Sequence, residues 1–137
     1  MKVRTSLALA GSAAALATAG LLAGPALASS ATPTHTLQFS THSITTHNFG
    51  KTGGVALDKD THNGKVVAYD ILDFVSANGA DVSLGLPDGF LYAHISFSSK
   101  GAITGKVTGG TGKYKGDAGT VAGQQGKTGA NVTVKYH

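Results

Sequence analysis

The chain has 137 residues, with no Cys, no Trp, 20 Gly, 11 Lys plus Arg and 7 Asp plus Glu, for a formal charge of +4. That length holds one domain with one core. The lack of Cys excludes disulfides, thiol catalysis and Cys-ligated zinc or iron–sulfur sites.

The N-terminus reads as an address. Lys2 and Arg4 precede an uncharged run from Ser6 to Leu22, and Gly24-Pro25 leads into an Ala26-Leu27-Ala28 cleavage signature. This pattern predicts a secretory signal peptide over residues 1–28. The run is too short, and too rich in Ala, Gly, Ser and Thr, for a spanning helix, which needs about 20 strongly apolar residues. Residues 29–137 are therefore expected to form a single exported domain, secreted and free of the membrane after cleavage. Cleavage removes the sole Arg and leaves 9 Lys, 7 Asp and no Glu, a formal charge of +2. Arg is the main fork-like reader of phosphate and guanine, so nucleic acid is not an expected partner.

Beyond the leader the apolar period is two, not 3.6. Short alternating runs are divided by Gly, Asn, Asp and Lys, which is the all-β pattern. His35 to Thr41 is the first predicted strand, with Leu37 and Phe39 on the face of His35. Ile44 to Phe49 is a weaker strand candidate, with loop as the alternative. Gly53-Gly54 bends the chain before Val55 to Leu57, and Asp58 to Gly64 is expected to be a polar turn. Lys65 to Ser76 is the longest strand, with an Asp on each face. Asn78-Gly79 turns it into Asp81 to Leu86. Pro87-Asp88-Gly89 is a strong turn, because Pro fixes φ and Gly tolerates positive φ. Phe90 to Ser98 returns, with Leu91, Ala93, Ile95 and Phe97 on one face and Phe90, Tyr92, His94 and Ser96 on the other. Ala102 to Thr108, Gly119 to Gln124 and Asn131 to Tyr136 complete the series. Seven or eight short strands joined by tight turns suggest an antiparallel meander, and closure into a small barrel removes its exposed edges.

Gly105 to Thr120, GKVTGGTGKYKGDAGT, carries a glycine corner with an aromatic anchor at Tyr114. The run resembles the hallmark of the allene oxide cyclase and dirigent barrels. The likeness extends outward to Asn63 to Asp70 (NGKVVAYD), to Leu86 to Gly89 (LPDG) and to Val132 to Val134, covering about residues 53 to 136. It implies a calycin-like antiparallel barrel of the secreted bacterial branch, a homotrimer, and a central cavity for an apolar or phenolic small molecule. Residues 41–57 depart from the plant pattern. The Glu and Cys of the plant cyclase have no counterpart in residues 29–137.

Candidate chemistry centres on Asp70, which shares a strand face with Ala68, Leu72 and Phe74. A carboxyl on an apolar barrel face would have a raised pKa and could act as general acid or base. A strand-end Asp bonded to a loop or a Lys is the structural alternative, and both stay open. Tyr92 and His94 could join Asp70 at a barrel mouth as further catalytic groups, although alternation alone reads them as an outward polar face. Leu37, Phe39, Leu72, Phe74 and Ile95 are the expected ligand-binding lining. Asp58 and Asp60 hint at a calcium loop, but its closing carboxylate is missing because the twelfth position is Tyr69. The six His residues show no ligand spacing, so no metal and no cofactor is expected. No phosphate loop fits the glycine segments. Three functions follow: a dirigent-like small-molecule binder, a cyclase or isomerase using Asp70, and a non-catalytic module whose barrel is filled by its own side chains.

Overall fold

The computed structural model describes residues 31–137, so the signal peptide expected over residues 1–28 lies outside the described residues. Eight strands follow in chain order: β1 (His35–Phe49), β2 (Gly53–His62), β3 (Lys65–Ser76), β4 (Gly79–Leu86), β5 (Gly89–Phe97), β6 (Ala102–Gly110), β7 (Gly119–Gln125) and β8 (Ala130–Tyr136). Each pairs antiparallel with the next, and β1 closes on β8 through the register from His35–Tyr136 to Thr41–Ala130. The result is a closed eight-stranded barrel, the all-β antiparallel architecture expected from the alternation.

One segment settles an open alternative, and another differs from the sequence expectation. Ile44 to Phe49 is not loop; it continues β1 beyond a bulge at Ser43–Thr45, and pairs with Gly53 to Leu57. Asp58 to Gly64 is not a polar turn. Asp58 to His62 belongs to β2, and only Asn63 and Gly64 turn, with φ of +50° and +76°. Two consecutive residues of positive φ make a tight hairpin whose twist matches the strands, so the ladder runs up to the turn. The charges in this stretch therefore point alternately into and out of the barrel.

The β1–β2, β3–β4, β5–β6 and β7–β8 turns share one end, called the top here. The bottom carries the glycine corner, whose single 3₁₀ turn, Gly112–Tyr114, precedes β7. Tyr114 is buried and sits edge-on to Tyr136, with ring centroids 5.8 Å apart. The Pro87–Gly89 turn fastens to this corner: Thr111 N–H donates to Phe90 O at 2.8 Å, Lys113 N–H to Asp88 O at 3.1 Å, and Phe90 N–H to Thr111 Oγ1 at 3.1 Å. Gly89 and Gly112 lie at φ of +145° and +60°, and a Cβ on either would run into the carbonyl of the facing segment. Gly89→Ala or Gly112→Ala is expected to cost about 1–3 kcal/mol of stability, from strain and backbone collision. Urea unfolding of each variant checks this.

Below mid-height the core is Phe39, Leu84, Leu91, Val107 and Val134 with Tyr114. Small residues on the inner wall (Ala56, Ala93 and Ala130) recur around the barrel. Eight-stranded barrels are either just filled or hold one small ligand, and side-chain size decides which.

Candidate functional site

The small inward residues leave space. A cavity of about 440 Å³ occupies the barrel, which speaks against the alternative of a filled interior. Its lining runs from Phe39, Leu84 and Leu91 up past Leu72, Phe74, Ile95 and Phe97 to the top-end residues Thr46, Gln125, Gly126 and Gly129. Of the expected binding residues, Phe39, Leu72, Phe74 and Ile95 line it. Leu37 does not; it is half-buried at the bottom end beside Leu86 and Ala68.

Asp58 and Asp70 also line the cavity. They are direct cross-strand partners between β2 and β3. Facing residues on one side of an antiparallel pair place their Cβ atoms about 4.5–5.5 Å apart, a spacing at which like charges repel. Asp60 is the next inward position on β2, opposite Ala68, and is diagonal to Asp70. It has no exposed surface, and Asp70 keeps 5%. Thr41 and Ser43 of β1 stand opposite Asp60 and Asp58, and Leu84 of β4 stands opposite Asp70. Yet both Asp60 carboxyl oxygens, and Oδ1 of Asp58 and Asp70, have no hydrogen-bond partner among the described residues.

The electrostatics follow from this placement. Burial, reinforced by the neighbouring Asp60 and Asp58, pushes Asp70 up to about 8. Burial and then the Asp58 charge push Asp60 up to about 7. Asp58 is also raised by burial, while the Ser43 hydroxyl and the nearby His42 work the other way. Groups this close share their protons and titrate as a set. At neutral pH the set holds protons, so it can donate a hydrogen bond or a proton into the cavity as well as accept one.

Tyr92 and His94 are on the opposite side of the wall and are not brought together with Asp70. Both are exposed, Tyr92 stacks on Phe90, and His94 Nδ1 lies 2.7 Å from Asp81 Oδ1 on the outer surface. Their β5 neighbours Leu91, Ala93 and Ile95 face inward, and alternation sends Tyr92 and His94 out. An exposed polar contact of this kind is worth little. His94→Ala is therefore expected to change stability by less than about 1 kcal/mol and to leave cavity binding unaltered, as thermal melts and ligand titration will show. Sequence reasoning missed Asp58 and Asp60. The available signal was the alternation Ala56, Asp58, Asp60 running into a two-residue Asn63-Gly64 hairpin. Among the described residues, no group of three or more His, Asp or Glu is arranged to hold a metal ion.

No protein-family model matches the chain, and no curated protein matches it in sequence. A solved structure of pyocyanin demethylase is similar in shape, with a TM-score of 0.63 at 22% identity, over 75% of this chain and 100% of that one. That likeness is one of fold: the chain shares its barrel with a protein whose name is that of an enzyme.

Proposed function

We propose that this chain is an exported barrel that binds an apolar or phenolic small molecule in its central cavity, against the Asp58–Asp70 wall. One observation carries the reading: the cavity is apolar over most of its surface but carries two facing carboxyls at one wall. A mostly apolar pocket with a few convergent polar groups is the usual form of a small-molecule site. Its volume of about 440 Å³ lies within the usual range for such sites. The resemblance to dirigent and allene oxide cyclase barrels supports the same ligand class. The export step rests on the leader read over residues 1–28. The test is direct titration of purified protein with naphthols and other phenols by fluorescence and calorimetry. Saturable one-to-one binding is expected; a panel without a binder overturns the reading.

A second reading makes the chain a general acid–base catalyst of the cyclase or isomerase kind. It is favoured by Asp70, which is buried, faces the cavity and holds its proton up to about 8. A positioned acid contributes about 10²–10⁴-fold to a rate. Turnover of a lipophilic epoxide or quinone methide should fall by that factor in Asp70→Asn. Binding without turnover would leave the first reading alone in place.

A further inference from the structure

We propose that the cavity selects an organic cation, an apolar body bearing a quaternary or protonated nitrogen whose charge lies against Asp58 and Asp70. The proposal deepens the binding reading above and rests on it.

The first support is the inventory of charge. Among the described residues, Asp58 and Asp70 are the only ionisable ones that line the cavity, with Asp60 beside them on β2, and no Lys or His lines it. Besides one another, the groups facing the three carboxyls from neighbouring strands are Thr41, Ser43, Ala68 and Leu84, none of them basic. His42, exposed on β1, acts on Asp58 alone. Buried acids are normally paired with a base or tied down by hydrogen bonds, because an unpaired buried charge is costly. Among the described residues no base faces Asp60 or Asp70, Asp58 has only the Ser43 hydroxyl and the nearby His42, and orphaned carboxyl oxygens occur on all three acids. The missing counter-charge has a place to sit, since two of the acids border open space.

The second support is independent of the acids. Phe39, Phe74 and Phe97 line the same cavity, and the rings of Phe74 and Phe97 lie 6.2 Å apart, centroid to centroid. Aromatic faces attract cations, and desolvated sites strengthen the attraction; quaternary ammonium groups are the best-known beneficiaries. Acids on one wall and rings elsewhere on the lining of the same cavity suit a greasy cation. The same features reject an anion. A carboxylate such as a fatty acid's would meet two acids and no base, so the site discriminates by repulsion as well as attraction.

Proton linkage gives the selection a signature. The empty cluster holds protons near neutrality, so a cation must displace one to gain its full interaction. Affinity for a permanent cation should rise with pH, by up to tenfold per unit below about pH 8. A neutral ligand carries no such dependence on proton release.

The test uses three ligands of one shape on the full chain: 2-naphthylmethyltrimethylammonium, its neutral carbon isostere, and 2-naphthylacetate. Calorimetry at pH 6, 7, 8 and 9, in buffers of different ionisation enthalpy, reads affinity and proton release together. The cation is expected to bind at least tenfold tighter than the isostere at pH 8, to gain affinity between pH 6 and pH 8, and to release a proton. Naphthylacetate is expected to bind most weakly of the three. Asp70→Asn should shrink the cation-to-isostere ratio at least fivefold, with a thermal melt confirming the fold. An isostere or naphthylacetate that binds as tightly as the cation overturns the charge selection and leaves small-molecule binding standing. Failure of all three to bind takes down the binding reading and this inference with it.

Discussion

Thermal melts of dialysed protein are expected to give a higher midpoint at pH 5 than at pH 9. The cause is the inner carboxyl set. In the unfolded chain Asp60 and Asp70 release their protons near 3.8, but in the barrel they hold them to about 7 and about 8. Between those limits the folded state binds more protons than the unfolded state, so stability falls as pH rises. Below about 3.8 both states are protonated and the contribution is complete. Above about 8 both are ionised and it is gone. Asp58, also raised by burial, adds in the same direction. Asp70→Asn or Asp60→Asn replaces an acid that must ionise with a group of the same shape that cannot. At pH 9 each is expected to stabilise the protein by about 1–3 kcal/mol, since one unit of pKa shift corresponds to about 1.4 kcal/mol and repulsion within the set is relieved. A gain of 1 kcal/mol raises the midpoint of a domain this size by about 4–8 °C. At pH 5 the substitutions should change little, because the acids are already neutral there. The two gains should not add, since Asp60 and Asp70 repel each other. A midpoint flat from pH 5 to pH 9 would show that the carboxyls are not held protonated.

The barrel was legible because its strands obey local rules. Lys65 to Ser76 and Phe90 to Ser98 alternate with period two, and Pro87-Asp88-Gly89 and the corner at Tyr114 announce their turns chemically. Asp70 could be placed on the face of Ala68, Leu72 and Phe74 by counting in twos. Asp58 and Asp60 were hidden by their charge. A DxD run flanked by Lys59, Thr61 and His62 looks like solvated turn, and the hairpin at Asn63-Gly64 that carries the strand through it has its effect in three dimensions. Tyr92 and His94 show a different limit. Both faces of β5 carry an aromatic residue, so alternation divides the strand into two sets without saying which set is inside. Closure of the sheet decides that, through the β4 and β6 partners of Leu91 and Ile95. The cavity itself was legible least, because it depends on small residues from several strands lining one space. A half-buried acid, Asp58, set directly opposite a buried one, Asp70, breaks the rule against like-charge pairs. Such local violations are expected where a site, rather than the fold, dictates the residue.

The same small residues allow the barrel to be filled from within, and Ala93→Phe is expected to abolish cavity binding without unfolding the protein. Ala93 faces inward on β5 between Val82 and Val107 and lines the cavity. A ring of this kind fits a void of about 150 Å³, and the cavity of about 440 Å³ exceeds that. Enlarging a residue in a well-packed core usually costs about 1–3 kcal/mol. Here the ring enters space already present and buries apolar surface worth about 1.5–3 kcal/mol. Stability should therefore hold or rise slightly, and affinity for a ligand seated among Phe39, Phe74 and Phe97 should fall at least 30-fold, or about 2 kcal/mol. The plug leaves Asp58, Asp60 and Asp70 in place, so the pH dependence of stability described above should persist in Ala93→Phe. Loss of binding with retained pH dependence separates occupancy of the barrel from protonation of its acidic wall. Undiminished binding in a folded Ala93→Phe would place the ligand on the outer surface instead, where Tyr69, Ile71, Phe90 and Tyr92 are exposed.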